Sequence, residues 1–173
     1  LDELWSRRII QTRQANTYNF THGKLRDAAY ETLTVVRRQM LHRKIAEALL
    51  ADAEKGFDVE SAIVAQHFEM AGQYQQAVEY YLKAASAARR VFANHDAISH
   101  LEQVLSLLSE KVGIKSETQM RMGRDTRELL GDIYEISGNG KRALEMYAEA
   151  FAQVAQPERL TRARLLGKIA KVT

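Results

Sequence analysis

The stretch YNFTHGKLRDAAYETL, Tyr18 to Leu33, sets His22 and Arg26 one helical turn apart, where a helix is expected to begin. Backbone N–H groups and the helix dipole favour an anion at such a place, and an imidazole there can donate to a phosphate while Arg26 adds charge. The competing structural reading gives His22 one local hydrogen bond and pairs Arg26 with Asp27 or Glu31. Other stretches imitate catalytic motifs and fail on spacing. SGNGKRA has the Gly-Lys of a phosphate loop, but Glu135 and Arg142 stand where a Walker A motif needs Gly and Ser/Thr. His67-Phe68-Glu69 matches half of a zinc-deaminase signature in a chain without cysteine to complete it. His95 and His100 are five apart rather than the four that zinc needs on one helix face. No catalytic residue, metal site or cofactor is expected.

Composition says which elements must position these residues. Of 173 residues, 46% are apolar and 27% charged, as in a folded domain. One proline and nine glycines are too few turn-formers for an all-β chain, so long helices are expected. With no cysteine and no apolar run of membrane-spanning length, a cytoplasmic protein fits, with no membrane partner. The opening Leu1-Asp2-Glu3 lacks a methionine and suggests a segment of something longer. Up to Leu50 there are nine Lys/Arg against five Asp/Glu, and the last helix adds Arg159, Arg162, Arg164, Lys168 and Lys171. Such charge is read as solvated helix faces rather than a nucleic-acid footprint, which needs its bases gathered on one face.

Along the chain, Leu4, Trp5, Ile9 and Ile10 close a short helix and enter a strand. Ile10 and Thr12, then Tyr18 and Phe20, alternate with polar residues about Asn16 and predict a β-hairpin. Leu25, Ala28, Ala29 and Leu33 form one helical stripe; Met40, Leu41, Ile45, Ala48 and Leu49 form a second, ending near Gly56. Residues 1–56 are therefore read as a winged-helix-like element and 57–173 as a separate helical domain.

That second part contains an internal echo. Val64, Ala65, Phe68, Gly72, Ala77, Tyr81 and Ala84, moved on by 66 residues, fall on Leu130, Gly131, Tyr134, Gly138, Ala143, Tyr147 and Ala150. Ala65 and Gly131 are small where two helices cross. Gly72 and Gly138 end the first helix of each pair. Ala77 and Ala143 let the hairpin close, and Phe68, Tyr81, Tyr134 and Tyr147 fill the space between pairs. This pattern resembles the tetratricopeptide repeat, implying an all-α superhelix of helical hairpins. A helix from Tyr74 to about Phe92 serves both neighbours, a loop covers Lys111 to Ser116 with Gly113, a long helix runs from Glu117 to Ser137, and Pro157 restarts the last helix. Gln66, Glu69, Tyr80, Arg127 and Glu135 are candidates for lining a concave partner-binding face. Met120, Met122 and Trp5 are read as packing, and the pairs Arg37-Arg38 and Arg89-Arg90 as edge or helix-end charges.

The run YNFTHGKLRDAAYETLTVVRRQMLHRKIAEAL followed by HFEMAGQYQQAVEYYLKAASAA resembles the junction of bacterial STAND-class signalling ATPases and transcriptional activators, where a nucleotide-binding module and winged helix lead into such repeats. The matching pieces are Phe20 and His22, Leu25-Arg26-Asp27, Ala29-Tyr30, Arg37-Arg38, Leu41-His42 and Ile45-Ala46. The resemblance implies a non-catalytic interaction and autoinhibitory segment whose partner is the parent ATPase core or another protein. Related ATPases place the His of a Met-His-Asp motif on ADP. Thr21-His22-Gly23 stands in that place without the Met and Asp, which makes His22 the one residue carried over, with Arg26 beside it, toward a nucleotide on a domain this chain lacks. Two rival readings are a winged-helix DNA-binding module and a segment that binds ADP by itself.

Overall fold

In the computed structural model the described residues are 3–4, 7–14, 17–111 and 116–173. Trp5, Asn16 and Gly113, each given a role above, lie outside them. Among the described residues the chain is all-α apart from one two-stranded sheet. Strand β1 (Ile10–Gln14) pairs antiparallel with β2 (Thr17–Phe20), Ile10 opposite Phe20, with a bulge between Thr12 and Gln14. Eight helices follow among the described residues: α1 (Gly23–Glu31), α2 (Val35–Glu54), α3 (Ser61–Met70), α4 (Tyr74–Arg90), α5 (Asn94–Glu110), α6 (Glu117–Ile136), α7 (Gly140–Ala152) and α8 (Arg159–Val172).

From α2 onward each helix packs against the next in sequence, so the helices run up and down in a single stack. The start of each is locally specified. Thr34 caps α2 by accepting from Arg37 N (3.3 Å), Ser116 and Gln119 form a capping box on α6, and Asn139 caps α7 through Arg142 N. The ends are specified too. Gly72 N donates to Glu69 O and Gln73 N to Phe68 O; 66 residues on, Gly138 N donates to Glu135 O and Asn139 N to Tyr134 O. Both are Schellman turns, with Gly72 at φ 74° and Gly138 at φ 77°, where a Cβ would be strained.

The interior is three apolar clusters in series. The first joins Ala46 to Val64, Ala65, Phe68, Ala77, Val78, Tyr81, Val104 and Leu107. The second holds Ala85, Ala97, Leu101, Leu130 and Ile133, and the third Ala143, Tyr147, Ala150, Val154 and Leu165. Helix α4 faces α3 with Ala77 and Tyr81, and supplies Ala85 to the second cluster. Because Ala46 of α2 sits in the first cluster, that core straddles residue 56 rather than stopping there. Helix α1, by contrast, buries none of its residues, so Leu25, Ala28 and Ala29 remain exposed and only Leu33, beyond its end, is half-buried. Among the described residues no helix is long and apolar enough to cross a membrane.

Candidate functional site

The side chains built onto this frame fall into four groups. The first is a tyrosine–carboxylate contact made twice. Tyr81 Oη donates to Glu69 Oε2 at 2.7 Å, closing α4 onto α3, and Gln103 of α5 donates to the other oxygen at 2.8 Å. At the 66-residue echo Tyr147 Oη reaches Glu135 Oε2 at 3.0 Å and Asp132 Oδ1 at 2.8 Å. Burial, then the hydrogen bond and charge of the carboxylates, pushes both phenols well above their usual pKa, so they stay donors. Around them Ala65, Phe68, Ala77, Ala84, Gly131, Ala143 and Ala150 are buried, while Tyr134 is half-buried and donates to Glu102 at 3.0 Å.

The second group is a ladder of charges. Glu128, Asp132 and Glu135 lie on one face of α6, and Arg164, Lys168 and Lys171 lie at the same spacing on α8. Arg164 meets Glu128 at 2.7 Å, Lys168 meets Glu128 at 2.9 Å and Asp132 at 2.5 Å, and Lys171 meets Glu135 at 2.5 Å. Arg124, 8% exposed, holds Glu158 by a two-pronged contact at 2.7 and 2.9 Å. Burial lowers the Lys168 ammonium, and its two carboxylates more than offset this, leaving its pKa raised. Lys171 first, and Tyr147 next, hold the Glu135 carboxyl below its usual range. Arg162 lies 4.4 Å over the Phe151 ring and donates to Val154 O. Most of the cations that made the last helix look basic are therefore engaged by neighbouring helices, although Arg164 and Lys171 stay largely exposed.

The third group was not visible in the sequence. His42 is 9% exposed; its Nε2 lies 2.8 Å from Tyr30 Oη and its Nδ1 2.8 Å from His67 Nδ1. One phenol and two imidazoles thus tie α1, α2 and α3 together, and Arg38 braces the same junction 4.8 Å over the Tyr30 ring while donating to Glu31 O and Leu33 O. Burial lowers both histidines' pKa, and the neighbouring His42 lowers His67 further. With His42 and His67 separated by 25 positions, no local spacing signals the pair.

The fourth group is the set of residues expected to meet a ligand. His22 precedes α1 and is exposed, its side chain accepting no capping hydrogen bond. Arg26 is held by Asp27 at 2.7 and 2.9 Å. Of the expected concave-face residues, Gln66 is exposed. Glu69 and Glu135 carry the tyrosines just described. Tyr80 stacks on Phe68 at 5.5 Å between centroids with Lys83 above it at 4.2 Å. Arg127 bonds Glu149 at 2.9 Å and Gly123 O at 3.1 Å, beside an open cleft of about 250 Å³ lined by Leu105, Leu108, Met120 and Gly123. Met122 packs on the first core. No group of three His, Asp or Glu among the described residues is placed to hold a metal.

No protein-family model matches the chain. It is similar to an uncharacterized protein of Rhizobium meliloti (strain 1021), 26% identical over 101 residues. That match covers 58% of this chain and 10% of the relative, so the chain spans about a tenth of that protein's length.

Proposed function

We propose that this chain is a non-catalytic protein–protein interaction segment, a tetratricopeptide-like array of helical hairpins with a winged-helix-like element ahead of it. We place it in the regulatory part of a STAND-class signalling ATPase or transcriptional regulator, in the cytoplasm. One observation carries the reading. The 66-residue echo is repeated in backbone and side-chain hydrogen bonds alike, from the Gly72 and Gly138 caps to the Tyr81–Glu69 and Tyr147–Glu135 contacts. A hairpin unit that repeats to this depth, stacked so that each helix meets mainly its neighbours, supports a solenoid whose use is its extended surface. A match occupying a tenth of a large relative supports a segment that serves within a longer polypeptide.

The DNA-binding alternative would use the N-terminal wing and its arginines, and there Arg7 already faces Glu3, Arg26 faces Asp27 and Arg43 faces Glu47. The experiment is calorimetric titration of this chain with the nucleotide-binding region that the proposal places in the same polypeptide, with ADP and duplex DNA as separate titrants. Micromolar or tighter binding to the protein region is expected. Binding to duplex DNA that weakens steeply with salt, and none to protein, overturns the reading.

A further inference from the structure

The turn between α4 and α5 repeats the Schellman geometry of the two glycine turns with a different residue in the critical place. Phe92 N donates to Arg89 O at 3.1 Å and Ala93 N to Ala88 O at 2.9 Å. Phe92 has φ 58°, the left-handed conformation that Gly72 and Gly138 adopt at 74° and 77°. A bulky residue there is a backbone outlier. It gains no burial in return, because Phe92 is 85% exposed. Folding alone favours glycine at this position, yet the chain carries an aromatic in an outward-facing, strained turn.

Its surroundings indicate what it is held out toward. Antiparallel stacking brings the C-terminal ends of α4 and α6 and the N-terminal ends of α5 and α7 to one end of the molecule, where Asn94 Nδ2 lies 3.3 Å from Ser137 Oγ. Val91 and Ile136 at this end are 73% and 75% exposed. Arg89, Arg90 and Lys141 are exposed there and have no ion-pair partner among the described residues, unlike Arg164, Lys168 and Lys171 of α8. An exposed aromatic beside unpaired arginines has the composition of an interface anchor.

We propose that Phe92 is the anchor of a docking surface for an acidic protein segment, its ring entering an apolar pocket or ridge of the partner while Arg89, Arg90 and Lys141 meet flanking carboxylates. The proposal rests on the interaction-segment reading and adds the surface and the partner's chemistry. A lipid surface suits the site less well, because one ring and two aliphatic side chains bury too little for stable anchoring without a lipid chain or a larger basic patch.

The test selects a random-peptide phage library against the full chain and measures binding of the dominant synthetic peptide, alongside vesicles containing phosphatidylserine. Peptides rich in Asp and Glu around apolar residues are expected. Phe92→Gly is expected to weaken the peptide about tenfold or more, and Arg89→Ala with Arg90→Ala to weaken it in a salt-dependent manner. The same Phe92→Gly is expected to raise the Tm by about 2 °C, since glycine relieves the left-handed turn. Opposite movements of stability and binding separate an anchor from a packing residue. Peptides that bind Phe92→Gly undiminished overturn the proposal but leave the interaction reading standing. A fall in Tm for Phe92→Gly, or binding to vesicles with no peptide selected, also overturns it. Failure of both peptide selection and the titration with the parent polypeptide removes both.

Discussion

Gly131 and Tyr147 touch across the α6–α7 crossing: a Cβ on Gly131 would overlap Cε1 of the ring and lie 2.6 Å from Cδ1. Tyr147 is fully buried and held at its hydroxyl by Asp132 and Glu135, so the ring has nowhere to retreat. Gly131→Ala is therefore expected to destabilise the chain by about 2–3 kcal/mol, in the range of overpacked cores. The echo position already houses a methyl group, and Ala65→Gly is expected to cost only about 1 kcal/mol. Urea denaturation of the two variants checks the contrast.

The two tyrosine–carboxylate contacts differ in what remains when the phenol is removed. After Tyr81→Phe, Glu69 keeps Gln103 and loses its shorter contact. After Tyr147→Phe, Asp132 keeps Lys168 and Glu135 keeps Lys171. Tyr81→Phe is expected to be the costlier change, at about 1–2 kcal/mol against about 1 or less, because only in the second case is each carboxylate left with a cation. Thermal unfolding of both variants in one buffer measures the order.

Helix α8 is docked by charge as well as by Leu165. Glu128, 8% exposed, accepts from both Arg164 and Lys168. Glu128→Ala leaves those cations short of a partner at a partly buried site, and a loss of about 2–3 kcal/mol is expected. Amide hydrogen exchange should speed up along α8 before it does in α3 or α4, since a stacked array loosens locally. Uniform acceleration across all helices would contradict a local role for the ladder.

Stability is expected to fall as pH drops below about 6.5, the ordinary value of an imidazole. Their folded pKa values lie below that value. In the window beneath 6.5 the unfolded chain therefore binds more protons, and stability decreases with decreasing pH until the folded values are passed. The phenol of Tyr30 meets His42, with Arg38 behind its ring, and no carboxylate is among the causes that shift either imidazole. Charging both imidazoles would also set Nδ1–H against Nδ1–H across 2.8 Å. His42→Gln is expected to flatten the pH dependence between 7 and 5, as followed by the midpoint of urea unfolding.

Much of the stack was legible in the residues. Small side chains at Ala65, Gly131, Ala77 and Ala143 and glycines at 72 and 138 are local requirements of a helical hairpin, and each leaves its mark at a fixed spacing. The expected ends of the long helices lie within two residues of those observed: Tyr74 to Phe92 was expected against Tyr74–Arg90, and Glu117 to Ser137 against Glu117–Ile136. The boundary at residue 56 and the partner-facing roles of Glu69 and Glu135 were less legible. They depend on which surface another helix covers, and amphipathic spacing does not name the helix that does the covering.

By itself, then, the sequence determined the helical class, the hairpin turns and the residues that fill them, because backbone caps and close crossings act through neighbours in the chain. The tertiary structure alone decided how charge and histidine are used. Glu128 meets Arg164 across 36 residues and His42 meets His67 across 25, so contacts of this kind leave no period to read. The last helix is basic in sequence and largely neutralised in the fold for that reason. The residues that looked most chemical, His22 and Arg26, stay exposed because α1 buries none of its residues, and Arg26 is paired with its neighbour Asp27.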